Sequence, residues 1–124
     1  MVTTSVILVV DDEKDARDFL RAILESKGYQ VIEADSGKQA LETAGRLDTP
    51  LELMITDLLM PRMHGRELAL RMRSMLPHLK ILYVSGYSQE VLFGLNLCPD
   101  PAALLRKPLD PRSTLDMVQR MLSS

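Results

Sequence analysis

Side chains that can hold a hard cation or a phosphoryl group recur at four places along this 124-residue chain: Asp11 with Asp12, Asp57, Ser85 and Lys107. Each place follows a short, mostly apolar run, respectively SVILVV, LELMIT, KILYV and AALLR. If those runs are parallel strands, their ends share one edge of a sheet, where ligands bind in open α/β domains. Carboxylates gathered there repel one another, by about 4 kcal/mol for unit charges about 4 Å apart at an effective dielectric near 20. Such a cluster must protonate or take a counter-charge. Mg2+ is a suitable one: it prefers oxygen ligands, keeps part of its water and bridges carboxylates to phosphoryl oxygens. Lys107 adds a point charge and Ser85 a hydroxyl, both suited to the same oxygens. Taken singly, each of these residues has an ordinary explanation. An Asp pair after a strand caps a helix, a lone Asp closes a strand end, a Ser before Gly makes a turn, and a Lys before Pro is solvated. Their recurrence at successive strand ends is what points to a site.

The apolar patterning supplies the elements that must position them. Ser5–Val10 is a continuous β-branched run, as in a strand buried on both faces. From Lys14 to Lys27, the residues Ala16, Phe19, Leu20, Ile23 and Leu24 recur at helical spacing, and Gly28 supplies a C-terminal cap. Tyr29–Ala34 reads as a second strand, after which Asp35 or Ser36 caps a helix running to about Arg46 with Ala40, Leu41 and Ala44 inward. Leu51–Thr56 is the central strand and carries Asp57 to its mouth. Pro61 forbids a helix through its own position and pushes Met60 toward an extended conformation, so a loop follows.

A helix from about Gly65 to Leu76 puts Leu68, Met72 and Met75 on one face, and Pro77 stops it. Arg62, Arg66, Arg71 and Arg73 around it read as a solvated face. Lys80–Val84 is the fourth strand, Gln89–Leu95 a short helix and Asn96–Pro101 a loop. Of Val91, Leu92, Phe93, Leu95 and Leu97, most are expected to complete the core rather than form an exposed patch. Ala103–Arg106 is a brief fifth strand, and Asp110 with Pro111 opens a last helix that buries Leu115, Val118 and Leu122. Five strands alternating with five helices imply an α/β domain with a doubly wound parallel sheet.

Composition narrows the functions further. At 46% hydrophobic and 26% charged residues, the chain suits a single domain over 1–124, whether a whole protein or a piece cut from a longer one. A net charge of −2 with only two Phe, three Tyr and no Trp leaves neither a basic field nor a stacking platform for nucleic acid. The single cysteine, Cys98, can form no internal disulfide. No apolar run approaches the ~18 residues of a membrane span, and the start MVTTSVILVV lacks the basic region of a signal peptide, so no membrane contact and a cytoplasmic location are expected.

The motifs ILVVDDE at 7–13, ITDLLMPRMHG at 55–65, ILYVSGY at 81–87 and LLRKPL at 104–109 together resemble those of response-regulator receiver domains, the phosphorylatable modules of two-component signalling. The resemblance covers the whole chain. It implies a flavodoxin-like (βα)5 fold of strand order 2-1-3-4-5, with Asp57 as the phosphoacceptor. Asp12, Asp57 and the Leu59 carbonyl would bind Mg2+, with Asp11 acting partly through water. Ser85 and Lys107 would hold the phosphoryl group, and the bond between Lys107 and Pro108 would be cis. The donor would be a phosphohistidine on a histidine kinase or a histidine phosphotransfer protein. Such a module is no enzyme beyond its own phosphorylation and dephosphorylation, and it changes partner binding, including by a phosphorylation-dependent dimer. Similar SGY and KPL motifs occur in receivers fused to sensor kinases, which makes a hybrid-kinase origin one expectation.

Two features depart from the family or modulate it. Leu104 stands where many members carry an inward-swinging Tyr or Phe, which puts the route from Ser85 to an output face in doubt. Leu59 and Tyr87 occupy positions that resemble gates on the lifetime of the phosphoryl group. Two other classes compete. A haloacid-dehalogenase-like phosphatase also forms an aspartyl phosphate, but it places a second Asp where this chain has Leu59. A non-phosphorylated interaction domain would have no need of the complete acidic set.

Overall fold

The computed structural model describes residues 4–97 and 99–124; residues 1–3 of the amino-terminal stretch and the lone Cys98 lie outside the described residues. The elements alternate as β1 (Val6–Val10), α1 (Lys14–Glu25), β2 (Gln30–Ala34), α2 (Gly37–Arg46), β3 (Leu53–Asp57) and α3 (Gly65–Met75), then β4 (Lys80–Ser85), α4 (Gln89–Gly94), β5 (Leu104–Arg106) and α5 (Pro111–Ser123). A single 3-10 turn, Pro101–Ala103, leads into β5. The strands form one five-stranded sheet, ordered β2-β1-β3-β4-β5, and every pairing is parallel.

The continuous apolar runs follow from covering both faces of this sheet. Val6, Leu8 and Val10 of β1 point into one core layer with Met54, Ala40, Leu68 and Met72. Ile7 and Val9 point into the other, with Leu20, Leu24, Leu53, Ile55 and Val118. So α2 and α3 cover one face, and α1 and α5 the other. Each large aliphatic side chain buried in these layers is worth about 1.5–3 kcal/mol of transfer free energy.

Helix ends are set by local chemistry. The Ser36 hydroxyl accepts from the Gln39 amide at 3.1 Å, and the Asp110 carboxylate accepts from the Ser113 amide at 2.8 Å. After α1, Gly28 takes φ +87°, Tyr29 N–H donates to the Leu24 carbonyl at 3.3 Å and Gly28 N–H to that of Glu25 at 3.0 Å. This paired pattern satisfies helix-end carbonyls and favours glycine at the left-handed position.

The structure corrects two expectations. Met75 is exposed, and the inward face of α3 is Leu68, Ala69 and Met72, with Leu76 beyond the helix taking the next place against the core. Of the five apolar residues at and after α4, Leu92 and Leu97 are buried but Val91, Phe93 and Leu95 are exposed, Phe93 by 80%. A six-residue helix has too few turns to bury more than one side. The arginine face around α3 is solvated, with Arg62, Arg66, Arg71 and Arg73 all exposed, and Arg66 also donates to the Asn96 carbonyl at 3.1 Å and Arg73 to the Leu79 carbonyl at 3.3 Å.

Candidate functional site at the strand ends

Register decides what meets at the rim. Val10 pairs with Thr56, Asp57 with Val84, and Ser85 with Arg106, so β1, β3, β4 and β5 end nearly level. The next residues, Asp11 and Lys107, therefore reach the same rim as Asp57 and Ser85. Carboxylate oxygens of Asp11, Asp12 and Asp57 all lie within 4.8 Å of one another. Asp11 and Asp57 are buried, whereas Asp12 is exposed and leaves the cluster open to solvent.

Lys107 closes the cluster from the β5 side. Its ammonium donates to Asp11 Oδ2 and Asp57 Oδ2, each at 3.1 Å, and lies 3.9 Å from Glu13. The Lys107 amide donates to the Ser85 carbonyl at 2.8 Å, and the following peptide, to Pro108, is cis. Ser85 is buried, its hydroxyl accepting from the Tyr87 amide at 3.0 Å. The second Asp57 oxygen accepts from the Leu59 amide at 3.3 Å.

Opposing influences act on Asp57. Burial and the neighbouring Asp11 charge push its carboxyl above the ordinary value of 3.8, and they outweigh the pull of the Lys107 ammonium and the Leu59 amide. Burial works against the charged form of Lys107, yet its bonds to Asp57 and Asp11 hold it above 10.5. The site is thus short of positive charge even with the lysine in place, as expected where carboxylates outnumber nearby cations. Three oxygen donors within reach of one another, one of them solvent-facing, fit a hard divalent cation that keeps water. Such an ion would supply the missing charge beside Asp57.

The loop after β3 is stitched closed. Leu58 N–H donates to the Val84 carbonyl at 2.9 Å and Gly65 N–H to the Leu58 carbonyl at 2.8 Å. A Cβ at Gly65 would collide with the Asp57 carbonyl oxygen and come within 3.1 Å of Leu58 Cα. Glycine is what allows α3 to start directly against the acceptor strand. His64 caps that helix, its Nδ1 accepting from the Glu67 amide at 3.1 Å.

Leu59 is half-buried beside the small cluster of Leu58, Leu92 and Leu104, and the Tyr87 side chain is exposed. Leu104, where an aromatic was expected by resemblance, is packed inward in that cluster.

Arg17 and Glu33 were not singled out in the sequence. Arg17 donates to the Asp11 carbonyl at 2.7 Å and to Glu33 at 3.2 Å. The available signal was an Arg17–Arg21 pair four residues apart, bordering the apolar stripe of α1.

Fold and site together define a doubly wound signalling-type domain with an acidic, lysine-closed rim. The response regulator receiver domain model matches residues 7–119, and the chain belongs to that family. Response regulator receiver protein CpdR of Brucella abortus is 36% identical over 94% of this chain and 95% of its own length. Sensor kinase CckA of the same organism is 34% identical over 96% of this chain, which corresponds to 13% of that longer protein. Among solved structures, a CheY-like receiver domain protein from Methanospirillum hungatei is 30% identical over 98% of this chain and 95% of its own, with a TM-score of 0.82. The receiver domain of the hybrid histidine kinase CckA superposes with a TM-score of 0.78 at 28% identity, over 95% of this chain and 99% of its own. The chain is a receiver module of two-component signalling. Among the described residues no helix is long and apolar enough to cross a membrane.

Proposed function

We propose that Asp57 takes a phosphoryl group from a phosphohistidine of a histidine kinase or phosphotransfer protein, with Mg2+ held by Asp11, Asp12, Asp57 and the Leu59 carbonyl. The supporting observation is the position of Asp57: buried at the end of the central strand, one oxygen on Lys107, the other on the Leu59 amide. One Asp57 oxygen attacks phosphorus as the P–N bond breaks. The bonding pair leaves on the imidazole nitrogen, which then takes a proton. Lys107 shifts its donors from carboxylate to phosphoryl oxygens, and Ser85 turns its hydroxyl from the Tyr87 amide toward the same group. Bound Mg2+ would neutralise charge on the transferring oxygens.

Slow hydrolysis of its own acyl phosphate belongs to the same proposal, as do a cytoplasmic, single-domain module and no contact with nucleic acid or membrane. The exposed Val91, Phe93 and Leu95 support α4 as part of a surface used in a phosphorylation-dependent dimer. The phosphatase alternative is not favoured, since Leu59 offers no carboxyl acid.

Intact mass after incubation with acetyl phosphate tests the assignment. A gain of one phosphoryl group that requires Mg2+ and slows about 100-fold in Lys107→Ala is expected, in line with the loss of one charge-stabilising donor. A gain independent of both would overturn it.

A further inference from the structure

The Arg17 guanidinium on α1 joins the loop after β1 to β2. Its Nη1 donates to the Asp11 carbonyl at 2.7 Å, while its Nε pairs with Glu33 Oε1 at 3.2 Å. Glu33 lies on β2 in register with Val9, and its other oxygen accepts from Arg21 Nε at 2.6 Å. Arg21 in turn reaches Glu25 at 3.1 Å. The Arg17 and Glu33 side chains are only 16% and 25% exposed. With two arginines and two glutamates, the network carries no net charge, so its influence on a nearby cation runs through geometry.

That geometry bears on the acid loop. The Asp11 amide is held by the Ala34 carbonyl at 3.2 Å, and Asp11 Oδ1 accepts from the Glu13 amide at 2.9 Å. Arg17 holds the remaining polar group of the residue, its carbonyl. That carbonyl lies in the peptide plane that also holds Asp12 N and Cα, so fixing it places the Cα that carries the Asp12 side chain. The exposed Asp12 carboxylate has no partner of its own among the described residues. Its place beside Asp11 and Asp57 therefore depends on the backbone beneath it.

We propose that Arg17 is a positioning residue for the divalent-cation site. Its bond to the Asp11 carbonyl sets the Asp11–Asp12 peptide, and Glu33 holds Arg17 in turn. A lysine cannot substitute, because a single ammonium point charge lacks the planar fork that spans a carboxylate and a carbonyl. Partners one step removed from metal ligands affect affinity by about 10- to 100-fold. The proposal rests on Mg2+ binding at Asp11, Asp12 and Asp57.

The test is the Mg2+ dissociation constant of the full chain by calorimetric titration, alongside Tm in EDTA. The variants are Arg17→Gln, Arg17→Lys, Arg21→Gln, Glu33→Gln and Asp12→Ala. Arg17→Gln and Arg17→Lys are expected to weaken Mg2+ by about tenfold or more, whereas Arg21→Gln, which loses its own ion pair but no contact to the loop, stays within about twofold. Glu33→Gln falls between, and it carries the test if the Arg17 variants do not fold. An affinity within about twofold of wild type in Arg17→Gln, or an equal loss in Arg21→Gln, overturns the role of Arg17. Asp12→Ala separates the two levels. If it retains full affinity, the metal site fails and the proposal with it; if it loses Mg2+ while Arg17→Gln does not, only the positioning role fails.

Discussion

At the β1 and β3 side of the rim, Asp11 is bonded through its amide, its carbonyl and both carboxylate oxygens, and Asp57 through both of its own. At the β4 and β5 side, α4 has six residues and anchors itself by Leu92 alone, with Val91, Phe93 and Leu95 facing solvent. These bonds hold the acid side in one arrangement. The α4 side makes few buried contacts, which is where low-cost rearrangement concentrates in a folded domain. Leu58 connects the two, since it follows Asp57 directly and packs against Leu92 and Leu104. The two poles are thus in packed contact through Leu58, Leu92 and Leu104, with Tyr83 against the same cluster.

The largest expected effect is on the acid side. Asp57→Asn should abolish the phosphoryl mass gain, because an amide cannot form the acyl phosphate there, while far-UV circular dichroism stays unchanged. The same variant should melt higher than wild type in EDTA at neutral pH. The folded carboxyl sits above 3.8, so folding disfavours its charged form; this penalty sets in as pH rises through 3.8 and is complete above the raised folded value. The gain in Tm should accordingly vanish on acidification below that window. A gain that persists in acid would locate its cause outside the Asp57 charge.

Next in size is the anchor of α4. Leu92 is fully buried, so Leu92→Ala should cost about 2–5 kcal/mol in urea unfolding. If α4 were merely resting on the domain, the loss would be much smaller, and the contrast with Phe93 would disappear.

A smaller effect is expected at Leu59 and Tyr87. Leu59 has no polar atom to orient an attacking water, and Tyr87, two residues past Ser85, is exposed and bulky. Leu59→Asn and Tyr87→Ala should each lose the phosphoryl group about tenfold faster, equivalent to about 1.4 kcal/mol of barrier. Decay of the phosphorylated mass after donor removal measures it; equal or slower decay in both would show that other groups control water access. The smallest change belongs to Phe93→Ser, expected within about 0.5 kcal/mol of wild type in stability because the ring is already in water. A large destabilisation would mean that α4 is packed more tightly than its exposure indicates.

Much of this was legible in the chain itself. Continuous β-branched runs can be explained only by strands covered on both faces, and Gly28, Ser36, Pro77, Asp110 and Pro111 mark helix ends through backbone chemistry that acts within a few residues. The acidic, hydroxyl and lysine positions were legible for the same reason, as each is attached to a strand end. What failed was the assignment of faces where the helix was short or where the inward stripe, Leu68, Ala69, Met72 and then Leu76, passed beside the expected residue. Periodicity put Met75 inward, and apolar character put most of Val91, Leu92, Phe93, Leu95 and Leu97 in the core, where only Leu92 and Leu97 are buried. A helical pattern states which residues share a side, but which of its i+3 and i+4 neighbours faces the core, and whether anything covers that side, depends on the packing partner.

By itself the sequence determined the order and kind of elements and which residues stand at the rim, because these depend on neighbours along the chain. Only the tertiary structure decided the bridge from Lys107 to both Asp11 and Asp57, the close approach that requires Gly65, and the hold of Arg17 on the Asp11 carbonyl. Each joins groups that strand register and helix packing bring together, and a distance between them exists only once the sheet has closed its pairing.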